Sequence, residues 1–178
     1  MATLFYFAYG SNLHPVRLGK RVSSARPVGP AALNGYELRF HKRGFLDGSG
    51  KCTLVPVAGR TMHGAIYSVN AEDRAVLDGL EGVGKGYEVT ELLLEHDGRA
   101  YDCFSYQATS DAVDRSLLPY DWYKQLVIAG ARHYLFPEEY IERIRRVPVT
   151  NDENLERAAE HRELLEEMLQ HSGFVEKL

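Results

Sequence analysis

Apolar and polar positions change period along this chain, and each change marks an element. The opening run TLFYFAYGSNL sets Tyr6, Ala8 and Gly10 in alternation with Phe7, Tyr9 and Ser11, then stops on Gly-Ser-Asn. That pattern predicts a buried strand entering a tight turn. LHPVRLGKRV follows with Leu13, Val16 and Arg17 at helical spacing and Pro15 where a first turn tolerates it, which predicts a short helix. ALNGYELRFHKRG, CTLVPVAG and TMHGAIYSVN alternate or run apolar between glycines and read as three strands. In NAEDRAVLDGLEG, Asn70 is a suitable N-cap, Asp73 stands third in the helix, and Ala71, Val76, Leu77 and Leu80 supply an apolar face before Glu81-Gly82 ends it. YEVTELLLEHDGRAYDCFSYQAT is two β-rich runs joined at Asp97-Gly98, the pattern of an antiparallel hairpin.

The last third has the period of helices. DWYKQLVIAGARHYL and PEEYIERIRRV are helical, the second with Pro137 in its first turn. DENLERAAEHRELLEEMLQ is amphipathic, with a narrow apolar face expected at Leu155, Ala158, Ala159, His161, Arg162, Leu165 and Leu169. Strands first and helices last predict an α+β fold rather than a parallel α/β one. With 178 residues, 44% of them hydrophobic, and no repeat or linker, the expectation is a single domain over 1–178, with an extra C-terminal helix at about 152–170.

Charge and cysteine usage narrow the function classes. A formal net charge of -4, with basic residues no more clustered than Arg145-Arg146, disfavours nucleic acid. The short N-terminal apolar run lacks a basic leader and is too short to span a membrane, so a soluble, cytoplasmic protein is expected. Cys52 and Cys103 form no CxxC pair and read as buried small residues of a reducing compartment. The seven histidines (His14, His41, His63, His96, His133, His161 and His171) never fall at i,i+4, so no metal site is expected. Ser11 lacks the GxSxG frame of a nucleophile elbow.

Two segments carry candidate chemistry. A Gly-Ser-Asn turn is either a turn alone or a set of backbone amides facing one concavity, able to hold an anion or oxyanion. Glu81 ends a helix where the backbone dipole is negative, and burial would disfavour its charge further; a raised pKa is therefore expected of it. It is either a solvated helix end or an acid presented on the glycine-rich lip of Gly82 and Gly84. Asp78, one turn earlier, is a weak second carboxylate. Tyr6, Tyr9, Tyr87, Tyr120 and Tyr123 are core residues or pocket walls.

Taken together, FAYGSNL, EGVGKGY, SYQAT and YKQLVIAGARHYLFPEEYIERI, in that order, resemble the γ-glutamylcyclotransferase family, which includes the AIG2-like proteins. The similarity runs from about Phe5 to about Ile144, leaving the closing helix outside it. It lies closer to the branch acting on γ-glutamyl amino acids than to the glutathione-specific branch. The resemblance implies a mostly antiparallel, barrel-like sheet with flanking helices. It also implies a glutamyl site lined by Tyr6, Phe7, Ala8, Tyr9, Gly10 and Ser11, with Asn12 holding the loop, Glu81 as the catalytic acid and base, and Tyr123 touching substrate. Tyr87 matches a second family tyrosine, in a segment one residue shorter than the family pattern.

The implied reaction turns a small-molecule γ-glutamyl substrate into 5-oxoproline and a free amine, with the protein acting as a monomer or homodimer. A free α-amine reaches its own γ-carbonyl to close a five-membered lactam, the advantage of an intramolecular attack. A carboxylate takes the proton and returns it to the leaving nitrogen, and preformed amides receive the oxyanion. No metal or organic cofactor is called for. The alternatives are a non-catalytic AIG2-like binder of a small ligand, and an enzyme that removes a γ-glutamyl protecting group from a biosynthetic intermediate. No charge cluster near Glu81 or Tyr123 is evident along the chain, and Lys85 and Lys124 are the cations expected to attract a leaving-group carboxylate.

Overall fold

The computed structural model describes residues 2–171; residues 1 and 172–178, which the expected domain included, lie outside the described part. Five strands form one sheet: β1 Thr3–Ala8, β2 Arg26–Arg43, β3 Gly50–Asn70, β4 Tyr87–His96 and β5 Arg99–Ala108. Their spatial order is β2-β3-β1-β5-β4. All the ladders are antiparallel except β1 with β5, which is parallel at Phe5–Cys103 and Tyr6–Phe104. The α+β class is as expected, but the sheet does not close into a barrel: no ladder joins β2 to β4 among the described residues. The two edges approach where His96 Nδ1 lies 2.8 Å from the Pro30 carbonyl.

The strand boundaries correct the sequence reading. CTLVPVAG and TMHGAIYSVN are one strand, because both halves pair with β2, and the register shifts where Asn34 faces Thr61 but Tyr36 faces Pro56. Strand β2 begins earlier than expected, at Arg26, and contains Pro27 and Pro30. Proline lacks an amide to donate and is tolerated because β2 is an edge strand. The β4–β5 hairpin is as expected: Asp97 and Gly98 both adopt positive φ, at 49° and 73°, which gives a two-residue turn the twist the strands need.

The helices are α1 Pro15–Arg21, α2 Arg74–Glu81, α3 Asp121–His133, α4 Glu138–Arg145 and α5 Leu155–His171. Ala71–Asp73 form a 3-10 turn ahead of α2, with no capping bond from the Asn70 side chain. Helix α3 stops two residues short of expectation because Leu135 takes a left-handed φ of 53°. Pro137 sits just outside α4, at its N-cap position. Helix α5 packs on α3 and α1. Its inward face keeps four of the seven residues expected, Ala158 buried and His161, Leu165 and Leu169 half-buried, and adds the buried Met168, while Leu155, Ala159 and Arg162 face solvent. One apolar cluster joins the sheet to these helices, with Phe7, Leu18, Met62, Ile66, Leu77 and Leu126 fully enclosed. No helix among the described residues is long and apolar enough to cross a membrane.

Candidate active site

The loop after β1 and the end of α2 meet at one carboxylate. Helix α2 ends on Glu81 because Gly82 adopts a left-handed φ of 72°, a conformation that glycine enters without steric cost. Glu81 Oε1 accepts a 2.8 Å hydrogen bond from Asn12 Nδ2 and lies 3.1 Å from Arg21 Nη1. Arg21 in turn donates to Asn12 Oδ1 at 2.5 Å and to the Leu80 carbonyl at 3.4 Å. All of these bonds to Glu81 fall on Oε1. The helix-end argument from sequence did not include the guanidinium and the amide, since Arg21 is 60 residues away along the chain.

A cavity of about 20 Å³ opens beside Glu81, walled by Tyr6, Tyr9, Ser11, Cys52, Tyr106 and Tyr123 together with Gly10, Asn12 and Tyr87. Three of its rings are held in place by hydrogen bonds at their hydroxyls. Tyr9 donates to the Tyr106 carbonyl, Tyr87 donates to the Cys52 carbonyl, and Tyr123 accepts the Cys52 amide at 3.1 Å. Burial, with the Glu81 charge as a lesser cause in each, pushes Tyr6, Tyr9, Tyr87 and Tyr123 well above the usual phenol range. Burial pushes the Cys52 thiol up to about 12. These side chains are neutral walls and hydrogen-bonding partners, not bases. No backbone acceptor among the described residues takes the amide hydrogens of Gly10, Ser11 or Asn12.

The small cavity continues outward into a vestibule of about 300 Å³, which shares Ser11, Glu81, Tyr87 and Tyr123 with it. Helix α5 supplies part of its wall through Arg157 and His161; the His161 ring stacks on Trp122 with centroids 3.7 Å apart. A larger cavity of about 570 Å³, between β2 and α4, contains none of the residues expected to act.

The structure gathers Tyr6, Tyr9, Gly10, Ser11, Asn12, Glu81 and Tyr123 around one space and adds Tyr87. Phe7 and Ala8 are wholly buried and do not line it; the Phe7 carbonyl accepts the Ser105 hydroxyl at 2.8 Å. Asp78 is held by Arg74 Nε at 2.8 Å and by the Tyr106 hydroxyl at 2.7 Å, so it serves the packing of α2 against β5. Lys124 is not at the site: its ammonium donates to the Arg145 and Val147 carbonyls. Lys85 lies against the Phe45 ring instead of lining the vestibule. The sequence reading missed Cys52 and Tyr106, and it missed a cation cluster of Arg17, Arg21, Lys42, Lys51 and Arg157 in the vestibule. Among the described residues no group of three or more His, Cys, Asp or Glu side chains is placed to hold a metal ion.

The chain is similar in sequence and in fold to known proteins. The profile described as "Gamma-glutamyl cyclotransferase, AIG2-like" matches residues 6–125. The mouse γ-glutamylcyclotransferase is 31% identical over 154 residues, covering 82% of this chain and 79% of that protein. The human protein of the same name is 30% identical over 151 residues, with the same coverage. A solved γ-glutamyl cyclotransferase superposes with a TM-score of 0.79 at 26% identity, over 93% of this chain and 99% of that one. A yeast structure described as a γ-glutamyl cyclotransferase specific to glutathione shares the fold, with a TM-score of 0.50 at 14% identity over 96% of this chain and 97% of that one. The chain belongs to the γ-glutamyl cyclotransferase, AIG2-like family and is an enzyme of that type.

Proposed function

We propose that the protein converts a γ-glutamyl amino acid into 5-oxoproline and the free amino acid, with Glu81 as general base and then general acid. The observation that carries this reading is the Glu81 carboxylate in the lining of a tyrosine-walled cavity that the Gly10-Ser11-Asn12 turn also lines. The glutamyl part of the substrate enters among Tyr6, Tyr9, Gly10, Ser11, Asn12 and Tyr123. Its α-ammonium gives a proton to Glu81, the amine attacks the γ-carbonyl, the oxyanion meets the amides of the turn, and the second proton of the attacking nitrogen ends on the released amine once the C–N bond has broken. Glu81 then returns the proton to the departing nitrogen. One preformed oxyanion donor is worth about 3 kcal/mol in such a step. Identity of about 30% with proteins named simply γ-glutamylcyclotransferase, against likeness in fold alone to the glutathione-specific yeast structure, favours the amino acid over glutathione as substrate.

The test measures 5-oxoproline from γ-glutamyl-alanine, N-acetyl-γ-glutamyl-alanine, α-glutamyl-alanine and glutathione. The first is expected to be the best substrate, the second and third inert, and glutathione poor. Glu81→Gln keeps the shape of the side chain and removes the base, so turnover is expected to fall at least ~100-fold in a folded protein. Turnover of the N-acetylated compound would overturn the cyclisation, and near-normal turnover by Glu81→Gln would remove Glu81 from it.

A further inference from the structure

The vestibule outside Glu81 holds more positive than negative charge, and the excess is unpaired. Three of its cations have carboxylate partners: Arg21 with Glu81, Lys51 with Asp47, and Arg157 with Asp152. The other two do not. Arg17 forms no ion pair among the described residues, and its Nε is buried without a hydrogen-bond partner. Lys42 is 1% exposed and forms no ion pair among the described residues: its ammonium lies 4.2 Å from the Tyr87 centroid and 5.7 Å from that of Phe45, with Glu81 and Asp47 acting on it only from beyond ion-pair distance.

Buried charges in proteins are paired, because an isolated ion loses several kcal/mol of hydration on leaving water. Both groups register that loss: burial lowers the Lys42 ammonium below its ordinary range and brings the Arg17 guanidinium down to about 10. His161, on the same wall, is held down to about 4 by burial and then by Arg17, Lys51 and Arg157, as a positive local potential requires. The vestibule shares Ser11, Glu81, Tyr87 and Tyr123 with the cavity assigned above to the glutamyl group, so an anion seated in the vestibule would belong to the part of the substrate that leaves. Arg17 lies on α1 and Lys42 on β2, and both side chains reach the same vestibule of about 300 Å³, near the lower end of small-ligand sites.

We propose that Arg17 and Lys42 form an anion subsite that reads the carboxylates of the leaving amine, and that the preferred substrates are γ-glutamyl derivatives of acidic amino acids. This rests on the cyclotransferase reading above for the direction in which the substrate lies. Two unpaired cations match the two carboxylates of a leaving aspartate or glutamate, whereas a neutral amine leaves both without a partner.

Two measurements separate this idea from the reading beneath it. The first is 5-oxoproline release from γ-glutamyl-L-glutamate, γ-glutamyl-L-alanine and γ-glutamyl-ethylamide. The expected order of kcat/KM is the order given, with about tenfold or more between the first and the last, the scale of charged hydrogen bonds in a partly buried site. In Arg17→Gln and Lys42→Met that ratio is expected to shrink at least about threefold each; Lys42→Met, which replaces a buried charge by an apolar side chain of similar length, is expected to fold. The second is calorimetric binding of γ-glutamyl-L-glutamate and γ-glutamyl-ethylamide to Glu81→Gln protein, where tighter binding of the diacid is expected. Efficient 5-oxoproline formation with no preference for the diacid, or a preference unchanged in both variants, would overturn the subsite and leave the cyclotransferase standing. No 5-oxoproline from any compound, with the binding preference intact and lost in the variants, would overturn the cyclisation and support the subsite. Equal or absent binding of the two ligands would overturn the subsite whatever the turnover.

Discussion

Asn12 Nδ2 donates to Glu81 Oε1 at 2.8 Å, so the turn that follows β1 and the last residue of α2 are joined by one hydrogen bond across 69 positions of chain. Arg21 completes a triangle by donating to both side chains. The Asn12 amide, directly and through the Arg21 guanidinium, therefore fixes the distance between the backbone amides of the turn and the carboxylate proposed to move the proton.

Asn12→Ala removes that tie and leaves the fold intact, since Asn12 lies in a loop. In steady-state assay with γ-glutamyl-alanine, kcat is expected to fall about tenfold, the scale of one lost hydrogen bond to a charged group, with KM changed much less. A rise in KM at constant kcat would make Asn12 a binding residue and not one that positions Glu81.

Gly10 and Ser11 are expected to respond unequally to substitution. A Cβ at Gly10 would sit 3.0 Å from the Cys52 Cβ and 3.7 Å from the Tyr123 hydroxyl, so Gly10→Val forces the turn away from the cavity wall. Its activity is expected to drop by about a hundredfold or more, while Ser11→Ala, which keeps the backbone amide, costs a few-fold at most. Equal losses in the two variants would make the Ser11 hydroxyl, not the backbone, the working group.

The His14 ring is buried at the start of α1, its Nδ1 accepting the Val16 amide at 3.2 Å and its centroid 4.5 Å from that of His133 and 6.1 Å from that of His171. Burial first, and then the other two rings, hold its pKa down to about 3. Because the folded value lies below the unfolded one of about 6.5, the unfolded chain takes up the proton first. The neutral ring's contribution to stability is thus whole above about pH 6.5 and declines as pH falls toward 3. His14→Asn keeps a capping acceptor and removes the titration. Urea unfolding at pH 7.0 and pH 5.0 is expected to show a smaller acid-induced loss of stability in His14→Asn than in the parent, and equal losses would refute the assignment.

Much of the fold is local enough to be read along the chain. Period two and Asp97-Gly98 define the β4–β5 hairpin, because both strands and their turn are contiguous and the turn needs positive φ. The end of α2 at Glu81 follows from Gly82 in the same way, and the resemblance of FAYGSNL and EGVGKGY to one family selects residues that, Phe7 and Ala8 excepted, turn out to share a cavity. Where the continuity of β3 and the buried face of α5 departed from the reading along the chain, a partner distant in sequence was responsible. β2 carries one ladder across what looked like a break in β3, and the face of α5 that is buried depends on where α3 and α1 receive it.

The charges were decided only by the tertiary structure. In the sequence Lys124 and Arg17 are equivalent, each a cation beside apolar residues; folding turns Lys124 onto two backbone carbonyls and leaves Arg17 at the vestibule with no ion-pair partner among the described residues and its Nε without a hydrogen bond. Periodicity states which positions are withdrawn from water, since that depends on the period of the element itself. It does not state which neighbours receive them. Arg17 and Lys42, on a helix and a strand separated by a turn and most of β2, meet at one cavity because the sheet and α1 pack around the same core, a relation that no local pattern encodes.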